Sequence, residues 1–101
     1  MPTTPRWLYL DDWRPAPDGW YPVRTPEDFR YLLTRFEWDI VSLDNDLSGM
    51  RATETGEDLL HWMFESGHLP VQKPRVHSKD ELAAPRMVRY IEEKWPKKPS
   101  G

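Results

Sequence analysis

The sequence contains no cysteine. That excludes a disulfide framework, a thiolate metal site and a cysteine nucleophile. It lacks any apolar run near the roughly 20 residues that a membrane span needs. Met1 to Pro5 is polar and has no signal-like pattern, so a cytoplasmic location is expected. Positive charge is also short, with 14 Lys and Arg against 17 Asp and Glu. Binding to duplex nucleic acid needs a basic face that releases counterions, and none is expected here. A small phosphorylated ligand, held by a few arginines and a metal, remains compatible with this balance.

What is present points to one small globular domain. The chain has 101 residues, which leaves no room for two cores. Six Trp residues supply large rings, which let a small core bury much area per residue. Eleven prolines cluster at the ends and between periodic segments, where they punctuate. A single domain over 1–95 and a flexible tail over 96–101 are expected.

Arg6 to Leu10 is short, mostly apolar and stops at Asp11-Asp12, as a buried strand would. Pro15, Pro17 and Asp18-Gly19 make the next segment a loop. Trp20 to Arg24 reads as a second strand, and Pro22 confines it to an edge. Thr25-Pro26-Glu27-Asp28 then opens a helix, with Thr as cap, Pro at the first turn and acids at the positive end. Phe29, Leu32, Leu33 and Phe36 form its apolar stripe. Asp39 to Leu43 is another apolar strand, and it too ends in carboxylates, Asp44 and Asp46. Ser48 to Glu54 is a polar loop. Thr55 caps a second helix, with an acid three residues on and Gly67 as its stop. Pro74 to Val76 is a short strand ending at His77-Ser78. Ala84, Met87, Val88, Ile91 and Trp95 form the stripe of a last helix, closed by Pro96. Apolar strands alternating with amphipathic helices predict an α/β domain with a mainly parallel sheet.

Ligands of open α/β sheets bind beyond the carboxyl ends of the strands. If the strands ending at Asp11 and Asp44 are neighbours, about 4.8 Å apart, then Asp11, Asp12, Asp44 and Asp46 crowd one volume. Such a crowd stays ionised only if a cation joins it or some pKa values rise. All-oxygen ligands favour Mg²⁺, Mn²⁺ or Ca²⁺ over zinc, and Mg²⁺ completes its shell with phosphate oxygens and water. The plainer reading of Asp-Asp after a strand is a turn or helix cap. Ser78 can donate to a phosphoryl oxygen and neutral His77 can act as acid or base; alternatively Ser78 begins a turn and His77 packs. Arg14 can fork onto a phosphate or pair with Asp12. Thr55 is a cap whose helix N-terminus could also face an anion. Trp13 and Trp20 flank the loop near the site and either stack on a base or pack as core or lid. His61 is expected at the surface, and its spacing to His68 is not a zinc pattern.

Four motifs together resemble a known family. They are Leu10-Asp11-Asp12 with Arg14-Pro15; Ser42-Leu43-Asp44-Asn45-Asp46-Leu47; Thr55-Gly56 with Asp58-Leu59-Leu60 and Trp62; and Val76-His77-Ser78 with Met87. In this order they are similar to the cyclic-phosphate-processing receiver-like domains, over roughly residues 6–92. The resemblance implies a flavodoxin-like, receiver-like three-layer sandwich with a four-stranded sheet of order 2-1-3-4 and about three helices. It implies that Asp11 and Asp12 are the metal-binding acidic pair, that Asp44 occupies the phosphoacceptor position and that Ser78 occupies the switch position. The sequence departs from the pattern at Asn45, where the family usually has His, and at Asp80 and Ala83, where it often has Asn and Gly. A fifth strand ending in Lys is not found after Trp95, so aspartyl-phosphate signalling is not expected; Lys79 is a substitute cation or a surface residue.

The expected function is divalent-metal-dependent binding or hydrolysis of a cyclic or terminal phosphate of a nucleotide or RNA end, as a possible phosphoesterase. Asp11, Asp12 and Asp44 would hold Mg²⁺ or Mn²⁺. Asp44, Asp46 and His77 would carry the chemistry, and Ser78, Arg14 and Thr55 would bind phosphate. The alternative is a non-catalytic protein-binding module, such as a phage-encoded regulator or inhibitor of a host protein, with Tyr90, Trp95 and Trp20 as anchors. Capture of a cyclic nucleotide without turnover is a third reading.

Overall fold

The computed structural model describes residues 6–47, 49 and 53–95. The expected tail over 96–101, the Pro96 stop, and Ser48 and residues 50–52 of the polar loop lie outside the described residues. Four strands, β1 (Trp7–Leu10), β2 (Trp20–Val23), β3 (Ile40–Leu43) and β4 (Arg75–Val76), alternate with α1 (Pro26–Arg35), α2 (Gly56–Ser66) and α3 (Ala83–Lys94). All pairings are parallel, in the order β2-β1-β3-β4. The expected strand order, helix number and edge position of the Pro22 strand are all found. Among the described residues, no helix is long and apolar enough to cross a membrane.

The helices start where their caps say. Thr25 Oγ1 accepts the Asp28 N–H at 3.2 Å, with Pro26 in the first turn. Thr55 and Asp58 form a reciprocal capping box, and Gly67 ends α2 at φ 81°, a left-handed conformation that glycine adopts without a Cβ penalty. The start of α3 is served from two residues upstream of its cap: Asp80 Oδ1 accepts the N–H groups of Leu82 and Ala83, both at 2.9 Å. Two stripe ends differ from expectation. Phe36 is the extended C-cap of α1 and is 46% exposed, because the helix has ended before the stripe does. On α3 the buried positions are Ala83, Met87 and Ile91, whereas Val88 is exposed.

The layering also differs. Leu8, Leu10, Val23, Val41 and Leu43 join Phe29 and Leu33 of α1, Leu59, Leu60 and Met63 of α2, and Ala83, Met87 and Ile91 of α3 in one core. Side chains of a strand alternate between faces, so these sheet residues share one face, and all three helices cover it. Phe29 meets Trp62 edge-on at 6.4 Å, which places α1 beside α2. The domain is therefore a two-layer α/β sheet rather than the expected three-layer sandwich. The physical reason lies in the connections. A loop, not a helix, joins β1 to β2. The crossovers β2→β3 and β3→β4 advance in the same direction, and their right-handed preference puts both helices on the same side.

The second face is dressed by its own side chains. Trp20 lies 5.5 Å from Trp7 and 5.9 Å from Tyr9, and His77 stacks on Tyr9 at 4.1 Å. On the helical side, Tyr90 of α3 and Trp95 at its end both pack edge-on against Phe64 of α2.

Candidate functional site

The chain moves from β1 outward to β2, then crosses back to β3, so strand order reverses between β1 and β3. Just beyond the carboxyl ends of these two strands stand Asp11, Asp12, Asp44 and Asn45, all buried. His77 and Ser78 follow β4 on the far side. Neighbouring strands of a parallel sheet end level with one another, which brings acids distant in sequence to one place.

Asp11 is 1% exposed and heavily engaged. Its Oδ1 accepts the N–H groups of Trp13 at 3.1 Å and Arg14 at 2.9 Å, closing a tight turn after β1. Its Oδ2 faces His77 Nε2 at 3.2 Å and Arg14 Nη1 at 3.7 Å. Arg14 therefore pairs with Asp11, not with Asp12 as considered from the sequence. Asp12 Oδ2 accepts the Gly49 N–H at 2.7 Å. A Cβ at Gly49 would collide with that carboxylate, so glycine is what permits the approach. The other oxygen, Asp12 Oδ1, is buried with no hydrogen-bond partner among the described residues. Asp44 Oδ1 accepts the Asn45 N–H at 2.8 Å. Burial raises the Asp44 pKa above the ordinary carboxylate value; the Asn45 N–H opposes this and the charge of Asp11 adds to it.

His77 is held from both sides. Its Nδ1 is 2.7 Å from Ser42 Oγ. Burial lowers its pKa, against the attraction of Asp44 and Asp11. The neutral ring that satisfies both neighbours carries its proton on Nε2, donates to Asp11 and accepts from Ser42. Asp11, Asp44 and His77 can each offer one ligand atom, all within 4.8 Å of one another. The sequence reading grouped Asp12 with Asp11 and Asp44; the geometry brings His77 into that mutual cluster. Asp12 meets Asp44 instead in the wall of an adjoining cavity of ≈ 470 Å³.

Asp46, Arg14 and Ser78 also line this cavity, as does Lys79. Ser78 Oγ accepts the Asp80 N–H at 3.1 Å. Three expected site residues are not in the cavity wall: Asp11 lies behind it, taken up by the turn and by His77. His77 is turned onto the sheet face, and its route to a ligand runs through Asp11. Thr55 is engaged as the cap of α2. Asn45 has a building role: its Oδ1 accepts the Glu57 N–H at 3.1 Å, and its Nδ2 reaches Asp80 Oδ2 at 3.4 Å. The two departures Asn45 and Asp80 thus touch each other. Gly56 sits so close to the Asp44 carbonyl that a Cβ cannot fit.

Trp13 is 70% exposed at the cavity, so it does not pack as core; Trp20 does pack, on Trp7 and Tyr9. Ser42 was not singled out by sequence reasoning. Its signal was a lone hydroxyl inside the buried run Ile40–Leu43, since a buried hydroxyl needs a partner. His61 is exposed, as expected, and stacks on Tyr90 at 4.2 Å.

No curated protein and no solved structure matches the chain. A family model described as the cyclic-phosphate processing receiver domain matches residues 6–93, nearly the whole described length. The parallel sheet of order β2-β1-β3-β4, with acids at the ends of its two central strands, therefore belongs to a member of the cyclic-phosphate processing receiver domain family.

Proposed function

We propose that the domain binds or hydrolyses a cyclic or terminal phosphate of a nucleotide or RNA end, with a divalent cation held among its strand-end carboxylates. The observation that carries this reading is the burial of Asp11, Asp12 and Asp44 together, with Asp12 Oδ1 lacking any donor among the described residues. A buried carboxylate oxygen without a partner is costly, and a cation offsets that cost. The candidate donors Asp11, Asp12 and Asp44 are carboxylates and suit a hard cation, Mg²⁺ or Mn²⁺, whereas both ring nitrogens of the neighbouring His77 are engaged by Ser42 and Asp11. Asp12 and Asp44 would hold the ion from the cavity wall, and Asp11 would hold it from behind. Such an ion, when bound, supplies a Lewis acid for a phosphoryl oxygen.

The remaining roles fall to groups on the cavity wall. Arg14 and Ser78 would meet the phosphate, with Lys79 as a second cation. Asp46 would orient a ligand or a water. His77 would fix the Asp11 carboxylate, with Ser42 holding its tautomer, and so acts as a positioning residue in this reading. Thr55 contributes only the start of α2.

The test is product analysis after incubating the purified protein with adenosine 2′,3′-cyclic phosphate and Mn²⁺. A phosphomonoester product that disappears in Asp44→Asn supports hydrolysis. Saturable binding without product assigns the domain to capture. Neither binding nor product, with this probe and with terminal monophosphates, contradicts the reading.

A further inference from the structure

Trp13 is the residue that the proposed site leaves unexplained. Its indole is 70% exposed, at the cavity that Asp12, Asp44 and Lys79 also line. Leaving a large ring in water forgoes the stabilisation that its burial would bring. An exposed ring on a loose loop would carry little meaning, but this loop is pinned. Both Trp13 N–H and Arg14 N–H donate to Asp11 Oδ1. Arg24 Nη1 donates to the Asp11 carbonyl at 3.2 Å and to the Arg14 carbonyl at 3.0 Å, clamping the turn from the residue that follows β2. The Arg14 guanidinium lies over the indole, 5.6 Å from the ring centroid, while its Nη1 is held by Asp11. The backbone on both sides of Trp13 is thus fixed by a residue that also belongs to the acidic cluster.

We infer that Trp13 is a preorganised stacking platform, and that it selects phosphates carrying a planar base over phosphates of the bare sugar. This rests on the phosphate reading of the cavity and deepens it. A ligand whose phosphate meets Arg14, Ser78 and Lys79 would have its base next to Trp13, one residue beyond the acidic pair. Stacking on an aromatic side chain requires only a π-face, so purine and pyrimidine would both be accepted. A ring already held in place loses little freedom on binding, which is what a platform needs. Trp20 is half-buried, packs on Trp7 and Tyr9, and lines the other cavity, so it is not available for this role.

The experiment is calorimetric titration, with Mn²⁺ present, of adenosine 5′-monophosphate and ribose 5-phosphate into the unaltered protein, Trp13→Ala and Trp13→Phe. The two ligands share the sugar phosphate and differ in the base. In the unaltered protein the adenosine ligand should bind roughly tenfold to a hundredfold more tightly. Trp13→Ala should erase that ratio by weakening the adenosine ligand far more than ribose 5-phosphate, which loses only the contact of the indole with Arg14, and Trp13→Phe should keep part of it. Equal affinities in the unaltered protein, or a ratio that survives in Trp13→Ala, overturn the platform and leave the phosphate reading standing. A loss of both ligands alike in Trp13→Ala, with a lowered melting temperature, makes Trp13 structural and overturns it too. If neither sugar phosphate binds, the phosphate reading fails and the platform falls with it.

Discussion

The two ends of the sheet carry cavities of similar size and opposite chemistry. At the amino ends of the strands, an open cavity of ≈ 400 Å³ is lined by Trp7, Trp20, Tyr21, Phe36 and Trp38. At the carboxyl ends, ≈ 470 Å³ is faced by Asp12, Asp44 and Asp46. Polar groups at the amino end find partners: the Trp38 Nε1–H donates to the Leu32 carbonyl at 3.0 Å, and the Arg6 N–H to Asp39 Oδ2 at 2.8 Å. At the carboxyl end, Asp12 Oδ1 has no partner among the described residues, and Asp44 holds a proton more readily than an ordinary carboxylate. At one end these polar groups are paired, whereas at the other a buried carboxylate oxygen is not, among the described residues. Local violations of polar satisfaction mark functional sites, and here the violation sits at the point where strand order reverses.

The largest effect comes from removing what both ends share. Leu10 is wholly buried on the central strand. Leu10→Ala should cost about 2–5 kcal/mol in urea unfolding, through lost transfer energy and the cavity left behind. A cost below about 1 kcal/mol would mean that the two ends are not braced by this core.

Glycine substitutions should separate the ends. A Cβ at Gly56 would run into the Asp44 carbonyl, so Gly56→Ala must move the peptide that carries the acid. It should cost about 1–3 kcal/mol and also weaken Mn²⁺ binding. Gly19, at the amino-end cavity, has φ 88°, and a Cβ there would make only ordinary contact with Trp7, at 3.5 Å. Gly19→Ala should cost about 1–2 kcal/mol from the backbone alone and leave Mn²⁺ binding untouched. Equal effects of the two variants on Mn²⁺ would erase the distinction between the ends.

Asp44→Asn sharpens the comparison through a change of sign. A carboxyl whose folded pKa is raised contributes stability below its unfolded pKa and loses it as pH rises through the folded value. At neutral pH the ionised Asp44 is therefore a burden on the metal-free fold, and the Asn variant should be more stable by about 0.5–2 kcal/mol. The gain should shrink as the solution is acidified. A lower melting temperature for Asp44→Asn at pH 7 without metal would show that the acids are comfortable as they stand.

The smallest effect lies at the start of α2, outside the walls of both cavities. Arg86 holds the Glu57 carboxylate, through bonds of 3.0 and 2.7 Å, and lowers its pKa. The stability from that pair is present above the unfolded pKa of Glu and is lost as pH falls through the folded value. Glu57→Gln should flatten only this acid limb of the melting temperature, by a small amount, since the pair is largely solvated. Mn²⁺ binding at pH 7 should not change.

Much of this was legible in the sequence because it is local. Thr25, Thr55 and Gly67 mark helix ends through bonds spanning a few residues, and the strands stop where apolar runs meet Asp11 and Asp44. The order of the sheet followed from the family resemblance. The layering was not legible in the same way, because it depends on the handedness of crossovers that replace a helix with the loop after Asp12. Phe36 and Val88 continue a helical period on paper, although the backbone leaves the helix at one and turns the other outward. The coupling of Ser42, His77 and Asp11 joins residues 35 and 66 positions apart, and no motif spacing announces it. The exposure of Trp13 accompanies a turn that is clamped in part by Arg24, just beyond the neighbouring strand β2.

The central claim is that the carboxyl-end acids form a cation site. Its most direct test is calorimetric titration of Mn²⁺ into the unaltered protein, Asp12→Asn and Asp44→Asn at neutral pH. Saturable one-site binding, weakened at least tenfold in both variants, is the predicted result. Absence of binding at millimolar Mn²⁺, or binding indifferent to both substitutions, would contradict it.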